Sequence, residues 1–252
     1  MNQKTIDWTN DVGGADIRRM LLLLGLAAGV LTTVAGMGGG MALVLVLSIL
    51  WGAPMALAVT APALLFGNVH RAYLFRGNID RRIAYRFALG AVPGAIFGGL
   101  AAASLPPLFL NVTMLFITGY AIARAMGWVR FTPPPSSIFP AGLIIGVLAA
   151  TSGGAAVLTA PVLMAAGLAG DAYIATVALA SVALHTGRIL GYGAAGLIDP
   201  HTLELSVVLG AAIFGGNLLG QRLRKMVPEH FGRVLEVATL GACTVLAVVG
   251  VT

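Results

Sequence analysis

Apolar residues dominate the chain from Met20 onwards and are grouped into runs separated by short polar stretches. Most runs approach twenty residues, the length of a helix that spans the hydrocarbon core of a bilayer. They predict helical segments over residues 20–36, 40–52, 55–75, 83–104, 107–127, 138–151, 155–169, 172–192, 202–221 and 231–251. The pattern therefore predicts an all-α, polytopic membrane protein with about ten membrane segments, including short broken helices.

The first long run contains a glycine-rich interruption. A single helix from Met20 to Trp51 would be roughly 50 Å long, whereas the hydrocarbon core is about 30 Å thick. We therefore expect the helix to break at the glycine-rich stretch, which comprises Gly36, Met37, Gly38, Gly39 and Gly40. Broken helices at membrane depth are tolerated where the freed backbone groups face protein, water or a ligand, so the break predicts a site inside the membrane.

The second half of the chain repeats features of the first half at a constant offset of 117 residues. The offset pairs Gly29 with Gly146, Gly36 with Gly153, Arg71 with Arg188, and the letters AIFGG at 95–99 with the same letters at 212–216. The second break consists of Thr151, Ser152, Gly153 and Gly154. A shared offset indicates an internal duplication, and we expect the AIFGG segments to be helix-packing seams.

Five predicted segments per half imply that the two homologous halves insert in opposite orientations, as an inverted repeat. With the N-terminus outside, most of the 15 basic residues fall on the inner side, as the positive-inside rule requires. A parallel arrangement with four spans per half and the N-terminus inside satisfies this rule equally well. We expect the inverted arrangement, because the parallel one needs each broken pair of segments to cross only once although the first pair is longer than one span.

Proline and polar residues divide the chain into regions. Three consecutive prolines at 133–135 cannot continue a helix and indicate a linker between the halves. We predict a polar N-terminal tail at 1–17, a first membrane repeat at 18–127, a Pro-rich linker at 128–137 and a second membrane repeat at 138–252.

Composition supports the membrane assignment and excludes several functions. The chain is 58% hydrophobic and 10% charged, whereas average proteins contain about 25% charged residues. Its net charge of +6 comes from basic residues scattered at the ends of apolar runs, which indicates membrane topology rather than nucleic-acid binding. Cys243 is the single cysteine and no histidine has metal-ligand spacing, so we predict no metal or cofactor. We also predict that the chain is not an enzyme, because it lacks HExxH and GxSxG motifs and an acid pair on one helix.

Both breaks are candidates for binding an anion. A helix that starts after a glycine turn presents unpaired backbone N–H groups and the positive end of its dipole. We therefore predict a central site formed by residues 36–41 and 151–155, with the two helix starts facing each other. Thr32, Thr33, Thr151 and Ser152 could supply hydroxyl donors to it. The alternative is that the glycines only permit close packing between helices.

Two arginines occupy equivalent places in the two halves. Arg71 follows Asn68 by about one helical turn, and Arg188 follows His185 in the same way, so each pair lies on one helix face. These four residues are candidate substrate ligands, because guanidinium groups bind oxyanions in a bidentate manner. The alternative is that both arginines extend to the lipid headgroups. Further candidates for lining the transport path lie on the same two segments and are Thr60, Pro62, Thr176 and Ser181.

The glycine-rich break, the segment ALAVTAPALLFGNVHRAYLFRGNID at 56–80, and the second-half segments TSGG and HTGRILGYGAAGLID resemble the TauE/SafE family of sulfite and organosulfonate exporters. The resemblance implies a secondary transporter that exports sulfite, sulfoacetate or a related C2 sulfonate by alternating access around a central site. An anion or small-solute channel of the same architecture is the alternative. The resemblance further implies a multi-pass protein of the bacterial cytoplasmic (inner) membrane. Its expected partners are a small anionic substrate and the lipid bilayer but no nucleic acid, and a homodimer is left open.

Overall fold

The protein is described here by a computed structural model that covers residues 14–36, 38–129, 134–226 and 229–251. These residues form ten α-helices: α1 (Gly14–Ala35), α2 (Gly39–Trp51), α3 (Ala53–Leu74), α4 (Arg81–Ser104), α5 (Pro107–Ala125), α6 (Ile138–Ser152), α7 (Ala155–Ala165), α8 (Gly170–Ala194), α9 (Pro200–Arg224) and α10 (Glu229–Val249). Two short 3-10 turns complete the regular structure, and the described residues contain no β-strand.

The helices coincide with the predicted apolar segments. Within the described residues, six helices are long and apolar enough to cross a membrane, namely α1, α3, α4, α5, α8 and α9. Shorter apolar helices are α2, α6 and the Val237–Val249 part of α10. The prediction of an all-α, multi-pass membrane protein is therefore confirmed. The largest differences are that α1 already starts at Gly14 and that α7 ends at Ala165.

Both glycine-rich stretches break a helix, as predicted. α1 ends at Ala35, and Gly36 and Gly38 have φ angles of 85° and 94°, a region that residues with a side chain rarely adopt. Gly153 directly follows the last residue of α6 and also has a positive φ angle, 73°. Met37, which the prediction includes in the first break, lies outside the described residues.

The predicted tail and linker are covered only in part. α1 starts inside the predicted tail, whose residues 1–13 lie outside the described ranges. The linker ends with a 3-10 turn at Pro135–Ser137 directly before α6, and its residues 130–133 are likewise outside those ranges. The division of the chain into tail, repeats and linker stays a prediction.

An aspartate starts the fourth helix of each half. Asp80 Oδ1 accepts a 2.9 Å hydrogen bond from the Ile83 N–H, and Asp199 Oδ1 accepts one of 2.7 Å from the Thr202 N–H. The backbone hydrogen bond from Thr202 lowers the pKa of Asp199, so this carboxylate is ionised at neutral pH and interacts favourably with the helix dipole. These N-caps fix where α4 and α9 begin.

The first helix of each half packs against the fourth helix of the other half. Gly29 of α1 lies against Gly216 of α9, and a Cβ added to Gly29 would be 2.9 Å from the Gly216 Cα atom. Gly146 of α6 lies against Gly94 of α4, whose carbonyl carbon would be 2.9 Å from a Cβ added to Gly146. Small residues permit this close approach between helices. The two halves therefore interlock.

The AIFGG segments are packing seams, as predicted, but the offset of 117 does not align them in space. Gly216 contacts α1, whereas the residue of α4 that makes the matching contact with α6 is Gly94. Gly99, the sequence counterpart of Gly216, instead contacts α8. The chain from Arg188 to Gly216 is longer than the chain from Arg71 to Gly94, which shifts the register. The predicted equivalence of these two segments is therefore wrong.

α3 and α8, the most buried of the six long apolar helices, run antiparallel. Near the start of α3, the Leu57 carbonyl accepts a hydrogen bond from Arg188 in the second half of α8. Just beyond the end of α3, the Asp80 N–H donates to Thr176 near the start of α8. α1 and α9 run parallel to α3, and α4 and α6 run parallel to α8. The third helices of the two halves therefore cross the protein in opposite directions.

Candidate functional site

A small cavity lies between α3 and α8, beside the two helix breaks. The first half lines it with Thr32, Gly38, Gly40, Met41, Leu64, Asn68 and Arg71, and the second half with Gly153, Gly154, Val157, Ser181 and His185. Its free volume, taken as the space open to the centre of a water molecule, is about 30 Å³. A cavity of about 10–15 Å³ by this measure holds one water, so this cavity has room for about two waters.

The helix starts after both breaks face this cavity. Gly38 and Gly40 at the start of α2 and Gly153 and Gly154 before α7 belong to its lining. The first N–H groups of an α-helix have no partner within the helix, and the helix dipole places partial positive charge there. The structure thus brings together the two glycine-rich stretches. Close packing, the alternative reading, applies to Gly39, where an added Cβ would collide with α1. It also applies to Gly153 and Gly154, where an added Cβ would lie 2.7 and 2.8 Å from side chains of α2 and α5.

Arg71 is the charged side chain of the cavity lining and is 1% exposed. Its Nη1 donates to the Thr32 carbonyl at 3.1 Å, and its Nη2 donates to Asn68 Oδ1 at 2.7 Å. Its Nε has no hydrogen-bond partner among the described residues. This guanidinium is buried inside the protein, so the alternative that it extends to lipid headgroups is wrong.

Among the described side chains, no carboxylate forms an ion pair with Arg71. The ion pairs found there lie elsewhere and join Arg18 to Glu204, Arg19 to Asp16 and Arg224 to Asp171. Burying a charge without a partner raises the free energy of the folded protein by roughly several kcal/mol. A bound anion would compensate the charge of Arg71 in the cavity.

Arg188, the sequence counterpart of Arg71, is fully buried but does not belong to the cavity lining. Its Nε donates to the Tyr192 hydroxyl at 3.2 Å, its Nη1 contacts His185 Nδ1 at 3.1 Å, and its Nη2 makes a long 3.4 Å bond to the Leu57 carbonyl. The Tyr192 hydroxyl in turn donates to the Ala150 carbonyl. The alternative that Arg188 reaches the headgroups is therefore wrong, and Arg188 lies behind His185 as seen from the cavity.

The contact with Arg188 determines the tautomer of His185. A guanidinium can only donate hydrogen bonds, so His185 Nδ1 must accept this one. In the neutral ring the proton then resides on Nε2. His185 thus has an N–H donor at Nε2, and its side chain belongs to the cavity lining.

Asn68 is held in place by two hydrogen bonds. Its Nδ2 donates to the Leu64 carbonyl at 2.8 Å, and its Oδ1 accepts from Arg71. This arrangement gives Asn68 the same place beside Arg71 that His185 has beside Arg188. The structure therefore keeps the predicted pairing of residues within each half.

Four further predicted ligands lie outside the cavity lining. Gly36 packs against α8, and Gly39 packs against α1. The hydroxyls of Thr151 and Ser152 both donate to the Leu148 carbonyl of their own helix, at 3.1 and 2.7 Å. These residues shape the breaks, and their role as direct ligands stays a prediction.

Two apolar residues of the lining, Leu64 and Val157, were not among the predicted site residues, whereas Met41 was. In a chain with 58% hydrophobic residues, a leucine or valine carries no sequence signal that separates cavity lining from helix packing or lipid contact. Only the packing of α3 and α7 identifies them.

The fold and the cavity define a multi-pass α-helical membrane protein with a small internal cavity beside two helix breaks. The model of the family described as sulfite exporter TauE/SafE matches residues 21–249, and the chain belongs to this family of membrane transporters. No curated protein and no solved structure gives a significant match to the chain.

Proposed function

We propose that the protein is a secondary transporter that exports a small sulfur-containing oxyanion, which binds in the cavity between α3 and α8. The observation that carries this proposal is the guanidinium of Arg71, which is buried in the cavity lining and has no carboxylate partner among the described side chains. An anion that enters the cavity supplies the missing negative charge and accepts hydrogen bonds from the free N–H groups of Arg71.

The polar groups around the cavity suit an oxyanion because most of them donate hydrogen bonds. Arg71 offers its Nε–H, His185 offers its Nε2–H, and the start of α2 offers backbone N–H groups. Before α7, the N–H groups of Gly153 and Gly154 already donate to the Ala149 carbonyl and the Ser152 hydroxyl. A deprotonated sulfur oxyanion has only acceptors. We assign to Arg188 the task of holding His185 in the donor tautomer, rather than direct contact with the anion.

The volume of the cavity favours a compact anion. A free volume of about 30 Å³ corresponds to about two waters, which is closer to the size of sulfite than to that of a longer anion. Sulfoacetate and other C2 sulfonates carry two more carbon atoms and require the cavity to widen. We therefore propose sulfite as the first candidate substrate and the C2 sulfonates as the second.

Alternating access around this cavity is the mechanism that we propose. An inverted repeat is supported by the antiparallel course of α3 and α8. It is also supported by the two interlocked pairs: α1 and α9 run in one direction, and α6 and α4 run in the opposite direction. In such a repeat the two halves exchange roles when the site opens to the other side of the membrane. The chain has no P-loop motif, so the driving energy would come from a gradient. We place the protein in the bacterial cytoplasmic membrane.

A thermal-shift screen of the full chain in detergent tests the substrate assignment. The anions are sulfite, sulfate, thiosulfate, sulfoacetate, taurine and isethionate, and chloride serves as the reference. We expect sulfite to raise the unfolding temperature most. Equal shifts for chloride and for all sulfur anions would contradict the proposed substrate class.

A further inference from the structure

Ser181 of α8 has a buried hydroxyl without a hydrogen-bond partner. The residue is 1% exposed, belongs to the cavity lining, and its Oγ finds no partner among the described residues. Other buried hydroxyls in these helices, such as those of Thr60 and Thr118, donate to the carbonyl four residues earlier. Buried polar groups are rarely left unpaired, so the free hydroxyl of Ser181 points to a ligand that occupies the cavity.

The two halves differ at this position. The offset of 117 pairs Ser181 with Leu64, and both residues line the cavity. α8 therefore contributes a hydroxyl where α3 contributes an apolar side chain. On α3 the charged donor is Arg71, whereas the equivalent Arg188 of α8 has all three nitrogen atoms engaged in hydrogen bonds and lies outside the lining. Each helix thus supplies a different donor to the same space.

We propose that Ser181 is a direct ligand of the transported anion and that it selects for anions with several oxygen atoms. This inference rests on the proposed function of the cavity. An oxyanion bridges the guanidinium of Arg71 on α3 and the hydroxyl of Ser181 on α8, because its oxygens point in different directions. A halide is a single atom that gains less from a second donor on another helix. Ser181 therefore favours sulfur oxyanions over chloride.

The test compares the wild-type chain with Ser181→Ala and with Ser206→Ala as a matched control. Ser206 also carries a buried hydroxyl, but it bonds to the Val59 and Thr202 carbonyls and lies outside the cavity lining. Isothermal titration with sulfite should show at least about tenfold weaker binding for Ser181→Ala, the loss expected for one hydrogen bond to a charged group. Ser206→Ala should bind sulfite as the wild type does.

Two further readouts separate this inference from a purely structural role of Ser181. The chloride affinity measured by competition should change less than about threefold in Ser181→Ala. Because sulfite binding weakens more than chloride binding, the preference for sulfite over chloride should fall. The unfolding temperature without ligand should stay the same or rise in Ser181→Ala, because no hydrogen bond is lost, and should fall in Ser206→Ala. Wild-type sulfite affinity in Ser181→Ala, or its failure to fold, would overturn the role of Ser181. Absence of sulfur-oxyanion binding in the wild type would overturn the proposed function as well.

Discussion

Replacing Arg71 by glutamine separates the binding role of this residue from its structural role. The guanidinium donates to the Thr32 carbonyl and to Asn68 Oδ1. Its removal leaves Asn68 Oδ1 without this donor, at a cost of about 1–3 kcal/mol, whereas the Thr32 carbonyl keeps its hydrogen bond from the Gly36 N–H. The same change removes a buried charge that has no carboxylate partner among the described side chains, which relieves a penalty of several kcal/mol. Because these effects oppose each other, we expect the ligand-free Arg71→Gln protein to remain folded.

For anion binding, Arg71→Gln only removes favourable interactions, so the expected loss of affinity is large. One edge of a guanidinium makes two hydrogen bonds to an oxyanion, each contributing about 1.5–3 kcal/mol. Losing both bonds raises the Kd for sulfite by about 10²- to 10⁴-fold. Arg71→Lys keeps the charge but loses the fork, so we expect an intermediate loss of about 10- to 100-fold.

Isothermal titration with sulfite and unfolding curves with and without sulfite measure both effects. Arg76→Gln is the control, because Arg76 is exposed, lies outside the cavity lining and stacks over the Tyr73 ring at 4.4 Å. We expect it to bind sulfite normally. Wild-type sulfite affinity in Arg71→Gln would show that the Arg71 guanidinium does not bind the anion.

The remaining predictions concern the second half of the chain. Arg188→Gln should weaken sulfite binding by about tenfold, and it should alter the ¹⁵N NMR signals of His185, because the ring loses the donor that fixes its tautomer. Unchanged His185 signals would contradict this role. Gly153→Ala should lower the unfolding temperature, because the left-handed conformation costs about 1–2 kcal/mol and the added Cβ would lie 2.7 Å from a valine methyl of α2. Gly196 is the control, because it has nearly the same φ angle, 74°, but open space around it. Gly196→Ala should therefore lower the unfolding temperature less than Gly153→Ala. An equal decrease would show that packing at the second break is loose.

The helices and the two breaks could be predicted from the sequence because their signals are local. An apolar run of known length predicts a spanning helix, and Gly36 and Gly38 lie where a run too long for the bilayer must turn. The grouping of Asn68 and Arg71 was predictable for the same reason, since a spacing of three residues places two side chains on one helix face.

The orientation of individual side chains could not be predicted, because it depends on how each helix is rotated against its neighbours. Arg71 and Arg188 occupy equivalent sequence positions, yet Tyr192 and the Leu57 carbonyl draw Arg188 away from the cavity lining. The hydroxyl of Ser152 likewise bonds to its own helix. Sequence identity was also a poor guide to register, since the AIFGG segments do not occupy equivalent places in the two halves.

Counterflow of radiolabelled sulfite in proteoliposomes distinguishes a transporter from a channel. We expect that wild-type protein takes up labelled sulfite, that uptake saturates, and that unlabelled sulfite inside the vesicles accelerates it. The Arg71→Gln protein should show no such exchange, whereas Arg76→Gln should retain it. Uptake that rises linearly with concentration and ignores internal sulfite would indicate a channel, and it would contradict a transporter that binds its anion in the cavity between α3 and α8.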